Sequence, residues 1–194
     1  MHMKKQSYSG AVRTKTPSPI SLTTLVQAAM IAAIYVVLTL LVNAFGLANY
    51  AIQVRFSEAL TILPFFTPAA IPGLFVGCIL SNILTGCLPL DVIFGSLATL
   101  LGALGTYAIG QMSRRAAALE PQRKFIFYKI LAPLPPIIAN TLIVPFVLAY
   151  VYQFEGSIPY FMLTVGIGEV ISCGILGLIL LFSLDKRRNS LFPA

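Results

Sequence analysis

Thirteen Lys and Arg residues are sorted along this chain so that long apolar runs carry almost none of them. Lys4, Lys5, Arg13 and Lys15 lie near the start, Arg114, Arg115, Arg123, Lys124 and Lys129 in the middle, and Lys186, Arg187 and Arg188 at the end. Arg55 alone stands apart. Between these clusters the sequence reads as apolar segments at about 22–45, 56–66, 69–84, 90–111, 126–152 and 160–184. With 58% hydrophobic and 10% charged residues, lipid is the solvent that such a pattern suits. Hydrocarbon tolerates only structures that satisfy every backbone hydrogen bond internally. No alternating pattern of a closed barrel is visible, so the chain is expected to be an all-α integral membrane protein, a bundle of six transmembrane helices.

The charge pattern also orients the bundle. Six crossings put both termini on one side and the 112–125 connection with them, so all three basic clusters share the cytoplasmic face. The opposite connections, 46–53, 86–89 and 153–159, contain Glu155 but no Lys or Arg. Residues 1–20 and 185–194 are then basic cytoplasmic tails flanking a membrane domain at 21–184. The net charge of +7 is accounted for by topology, which argues against nucleic acid as the partner. The first apolar run exceeds the roughly 7–15 residues of a signal-peptide core, so it is expected to be retained as a span.

The second segment is short. As an α-helix of eleven residues it reaches only about 16 Å, half the hydrocarbon thickness. Neighbouring helices are expected to shield it and leave room for a cavity at one end. Pro133, Pro135, Pro136 and Pro145 should kink the fifth segment or unwind its start.

Charge placed near hydrocarbon needs a partner or a purpose. Arg55 and Glu58 sit at the outer mouth of the short segment, three residues apart and on neighbouring faces. Asn82 and Asp91 fall near the outer ends of the third and fourth spans, and Asn140 and Glu169 lie deeper in the fifth and sixth. These six are the candidate substrate-binding residues of a cavity open to the exterior. A packing role is the competing reading: Arg55 neutralising Glu58, Asp91 capping a helix, Asn140 joining helices. Glu169 has no adjacent basic residue and needs either a proton or a donor-rich partner, which makes it the strongest single candidate. Gln53, Tyr107, Tyr150 and Tyr152 are supplementary candidates.

In the first span, Ala28 with Ala32 and Ala29 with Ala33 place small residues one turn apart, which permits close approach of another helix. By itself the spacing is better explained by packing inside the bundle, as it is for Gly73 with Gly77. His2, the lone histidine, builds no metal site, and Cys78, Cys87 and Cys173 lack a C-x-x-C pair and read as buried small residues. The sequence contains no phosphate loop, H-E-x-x-H or G-x-S-x-G motif, so neither ATP hydrolysis nor familiar proteolysis is assigned, and no cofactor is expected.

The run Gln53-Val-Arg-Phe-Ser-Glu-Ala-Leu-Thr-Ile-Leu-Pro64 carries a further signal, with Ala70-Ile-Pro-Gly-Leu-Phe-Val-Gly-Cys78, Ser81-Asn82 and Ile93-Phe-Gly-Ser-Leu-Ala-Thr-Leu100. Together they resemble the QueT family, substrate-binding S components of energy-coupling factor (ECF) transporters. The resemblance implies uptake of queuosine precursors across a bacterial plasma membrane. It implies as partners a transmembrane coupling subunit and two cytoplasmic ATPases, with the alanines of the first helix as the docking surface. It further implies a 7-deazaguanine ligand, whose amide N–H and exocyclic amine suit a carboxylate, Glu58 or Glu169. Its carbonyl needs a donor, for which Arg55, Asn82 or Asn140 serves, and a cationic aminomethyl group would suit Asp91. Two other readings stay open: a self-sufficient carrier coupled to protons through Glu58 or Glu169, and a membrane scaffold whose buried charges fix helix register.

Overall fold

A computed structural model describes residues 21–46, 54–120 and 126–187, and among these every regular element is helical. The α-helices are α1 (Leu22–Ala44), α2 (Ala70–Leu84), α3 (Pro89–Leu119), α4 (Ile126–Leu131), α5 (Leu134–Tyr150), α6 (Ile158–Glu169) and α7 (Gly177–Asp185). A 3₁₀ segment, Phe56–Phe65, precedes α2, and a π-helical segment, Val170–Leu176, joins α6 to α7. Gln53 and the basic residues Lys4, Lys5, Arg13, Lys15, Arg123, Lys124 and Arg188 lie outside the described residues, as does His2.

Four helical stretches are long and apolar enough to cross a membrane: Leu22–Ala44, Pro89–Leu119, Ile126–Tyr150 and Ile158–Asp185. Phe56–Phe65 and Ala70–Leu84 are apolar but shorter. The distribution of side chains is inverted relative to a water-soluble bundle. Leu25, Met30, Ile34, Val37, Leu101, Leu142, Leu163 and Ile179 are exposed, whereas Glu58, Thr61, Asn82, Asp91, Thr106, Asn140 and Glu169 are buried. An apolar exterior, with polar side chains gathered inside among an apolar core, is what a lipid solvent selects.

The short second segment is enclosed as expected, but it is a 3₁₀ helix rather than an α-helix. At about 2.0 Å per residue it is more extended than the α-helical reading allowed. Ser57, Glu58, Leu60, Thr61, Ile62, Leu63, Pro64 and Phe65 are all buried, against α1, α3 and α7. Its last turn is held by α3: Arg114 Nη1 donates to the Phe65 carbonyl at 2.6 Å, and a Cβ on Gly110 would fall 2.5 Å from that oxygen.

Small residues set the remaining distances. Gly73 and Gly77 let α2 lie directly on α1, where added Cβ atoms would come within 2.7 Å of the Ala28 carbonyl and 2.9 Å of Tyr35 Cβ. Gly102 and Gly105 receive Pro136 and Pro135 in the same manner. As the prolines foretold, the fifth segment breaks at Ala132–Pro133 between α4 and α5. Thr106 takes up a carbonyl left free there, donating to Ala132 O at 2.9 Å. α3 is longer than its apolar stretch, about 46 Å by the helical rise against a hydrocarbon layer of roughly 30 Å, and Arg114 and Arg115 lie toward its C-terminal end. At the same end Lys129 of α4 and Asp185 of α7 form an ion pair at 2.5 Å.

Candidate functional site

Glu58 is the centre of the polar interior. The 3₁₀ segment carries it inward, where it is 1% exposed, and the Tyr35 hydroxyl of α1 donates to its Oε1. Tyr35 reaches it because Ala28, Ile31, Ala32 and Tyr35 share the α1 face that α2 covers. Glu169 enters from the end of α6, and Glu58, Glu169 and Cys173 bring one ligand-type atom each to within 4.8 Å of one another. Cys173 Sγ lies 3.0 Å from Glu169 Oε2 and 3.4 Å from the Glu58 carbonyl. Thr61 donates to that same carbonyl at 2.6 Å. This is a mixed oxygen and sulfur set of metal-like spacing, with its thiol engaged in hydrogen bonding. Asn140 of α5 places its amide beside both carboxylates. Even so, Glu58 Oε2 and Asn140 Nδ2, both buried, complete no hydrogen bond.

A cavity of about 260 Å³ adjoins this cluster. Arg55, Asn82 and Asp91 line it, with Thr39, Asn43, Ser57, Thr85 and Tyr152 among the other polar residues. Ser57 precedes Glu58 in the chain, and Val144, also in the wall, follows Asn140 by about one helical turn. The volume is just below the roughly 300–1,000 Å³ of drug-sized pockets, which suits a ligand of nucleobase size. Gly95 makes room for the polar pair on one wall, since a Cβ there would stand 3.3 Å from both Asn82 Nδ2 and Asp91 Oδ1.

The mouth is held by Tyr152, in the connection from α5 to α6. Its hydroxyl donates to Asp91 Oδ2 at 2.8 Å and accepts from the Leu88 amide at 3.3 Å. Its ring stacks on Phe154 at 5.5 Å. Partial burial, then the Asp91 carboxylate, raise its pKa above the ordinary tyrosine value, so it stays a donor at neutral pH.

The six expected residues therefore divide between two adjoining places. Arg55, Asn82 and Asp91 line the cavity, while Glu58, Asn140 and Glu169 form the buried cluster beside it. Among the described residues no salt bridge joins Arg55 to Glu58, although the Arg55 charge acts on Glu58 and Glu169. Asp91 is not the N-cap of α3, a position held by Leu88, and its side chain accepts from Tyr152 instead. Of the supplementary tyrosines, Tyr152 joins the site, Tyr150 is 70% exposed, and Tyr107 pairs with Gln111 and Arg114 elsewhere on α3.

Sequence reasoning missed Tyr35, Ser172 and the role of Cys173. Cys173 is buried, as read, but it belongs to the polar cluster. The π-helical segment after Glu169 aims both Cys173 and Ser172, whose hydroxyl accepts from the Arg55 amide at 3.0 Å. Such wide turns recur at functional sites and leave no periodic trace in sequence. Tyr35 did leave one, as it follows Ala28 and Ala32 on a single helical face.

The family model described as QueT transporter matches residues 25–186, a span that includes every residue of the cavity and the cluster. The chain belongs to the QueT transporter family. It is 38% identical over 77 residues to the queuosine precursor transporter QueT of Lactococcus lactis subsp. cremoris (strain MG1363). That alignment covers 40% of this chain and 45% of the relative. No solved structure matches the chain. QueT is a family of transporters, and the matched span takes in the polar interior of this chain.

Proposed function

We propose that this protein is the substrate-binding S component of an ECF transporter and binds a 7-deazaguanine queuosine precursor from outside a bacterial cell. The observation that carries the reading is a nucleobase-sized cavity walled by Arg55, Asn82 and Asp91, with Glu58, Asn140 and Glu169 buried against it, in a QueT-family chain. The ligand enters past Tyr152, and its ring lies against Val42, Val144 and Leu148, the apolar part of the wall.

The proposed topology has six crossings, the two short apolar segments counting as spans shielded by their neighbours, with both termini cytoplasmic. It is supported by the Lys129–Asp185 pair, which holds α4 and the end of α7 together, and by Arg114 and Arg115 at the same end of α3. The cavity lies near the opposite connections, with Gly86, Cys87 and Phe154 in its wall. Uptake energy comes from a coupling subunit and two ATPases. Ala28 and Ala32 are engaged with α2, so Ala29 and Ala33, exposed on α1, are the docking pair left for that partner.

Binding of labelled queuine to the purified protein tests the ligand. No measurable affinity for any 7-deazaguanine, with affinity for a different small molecule intact, rejects it. Ala33→Trp is expected to leave binding unchanged and to abolish ATP-driven uptake in cells that supply the partner subunits. Uptake by this chain alone, driven by a proton gradient, refutes the dependence on partners.

A further inference from the structure

Two buried polar atoms in the cluster have no hydrogen-bond partner on the protein side: Glu58 Oε2, an acceptor, and Asn140 Nδ2, a donor. Their residues are 1% and 4% exposed. An unsatisfied polar group at such depth is costly, more so when charged, and a buried polar atom that stays unpaired calls for an explanation. Other groups of the cluster do have partners. Tyr35 donates to Glu58 Oε1, Thr61 donates to the Glu58 carbonyl, and Cys173 meets Glu169 Oε2. The Asn140 amide is near enough to Glu58 to act on it, yet the two do not close a hydrogen bond. What remains is one acceptor beside one donor, adjoining the cavity through Ser57 and Val144.

We infer that Glu58 and Asn140 read the cyclic-amide edge of the ligand, an N–H next to a C=O, and so select oxo over amino heterocycles. The inference rests on the proposed 7-deazaguanine ligand and assigns its orientation. The ring N–H donates to Glu58 Oε2 and the ring carbonyl accepts from Asn140 Nδ2. The amine on the other side of the N–H falls toward Glu169, whose carboxylate shares the 4.8 Å cluster with Glu58. The five-membered ring then points back into the cavity, and a substituent on it extends toward Asp91 and the mouth. An amino heterocycle of the same shape, such as 7-deazaadenine, presents an acceptor to Glu58 and a donor to Asn140. Both contacts become like-to-like, and both buried groups stay unpaired.

A site built to hydrogen-bond its ligand rejects an analogue lacking those groups far more strongly than an apolar pocket rejects a missing methyl. The experiment is competitive binding to the full-length protein in lipid nanodiscs, with 7-deazaguanine, its ring-N1-methyl derivative and 7-deazaadenine as probes. The unmodified protein is expected to bind the first and to lose at least about a hundredfold for the other two. Glu58→Gln and Asn140→Asp should each lower 7-deazaguanine affinity by at least about tenfold, while Lys129→Ala, outside the cavity wall, keeps both the affinity and the preference for oxo over amino rings. Equal affinity for 7-deazaguanine and its N1-methyl derivative overturns the inference while leaving the proposed function standing. So does full affinity in folded Glu58→Gln and Asn140→Asp proteins. Failure of every 7-deazaguanine to bind removes the proposed function and this inference with it. The probe series uses the unmodified protein, so a variant that does not fold leaves the test intact.

Discussion

Removing the Tyr35 hydroxyl isolates the contact on which the buried carboxylate depends. Tyr35 and Glu58 are each 1% exposed. Oε2 already lacks a partner, so Tyr35→Phe leaves both side-chain oxygens of Glu58 without a hydrogen-bond donor of normal geometry. An orphaned buried acceptor costs about 1–3 kcal/mol, which sets the expected loss. The packing term is small, because the ring stays in the cluster that Tyr35 shares with Leu74 and Cys78 of α2. Denaturant unfolding of the ligand-free protein in detergent, followed by circular dichroism, measures the loss. A double-mutant cycle with Glu58→Leu isolates its cause. With the acceptor gone, Tyr35→Phe should cost little, giving a coupling of about 1–3 kcal/mol between the two positions. A Tyr35→Phe cost below about 0.5 kcal/mol, or the same cost with and without Glu58, refutes the reasoning.

Four further outcomes are expected. Gly77→Val forces a Cβ to within 2.9 Å of Tyr35 Cβ and 3.1 Å of the Ala32 backbone, so α1 and α2 must separate, at about 1–3 kcal/mol or more by the same unfolding assay. Tyr152→Phe frees the Asp91 side of the mouth and should raise the ligand dissociation rate several-fold in stopped-flow measurements. Because the folded-state pKa of Tyr152 is raised, the stability this phenol lends is complete below its ordinary value of about 10 and is lost as pH climbs through the raised value. Loss of that stability between pH 7 and 9 would contradict the geometry. Lys129→Ala breaks an ion pair whose partners are 26% and 29% exposed and should cost less than about 1 kcal/mol, with binding unchanged.

The break at Ala132–Pro133 and the enclosure of Phe56–Phe65 were legible in the amino-acid sequence. Proline removes a donor wherever it stands, and eleven residues cannot span hydrocarbon unaided. The 3₁₀ geometry of that segment was not legible, since its choice over an α-helix is settled by contacts with α1, α3 and α7, which lie far off in sequence. Candidate polar residues could be picked out one at a time because each sits conspicuously in an apolar stretch. Their division between a cavity wall and a buried cluster could not, because helix rotation decides it, and a shift of one residue turns a helical side chain by about 100°.

By itself the sequence determined that this chain is helical, that lipid is its solvent, and that Arg55, Glu58, Asn82, Asp91, Asn140 and Glu169 needed explaining. Those properties follow from hydropathy and charge, which are carried by residues individually. Tertiary structure decided that Glu58 is held by Tyr35, that Ala28 and Ala32 face α2 while Ala29 and Ala33 do not, and that a π-helical turn delivers Cys173 and Ser172 to the site. Those are properties of pairs of residues distant in the chain, and the helix orientations that unite them are fixed by close packing at Gly73, Gly77, Gly102 and Gly105.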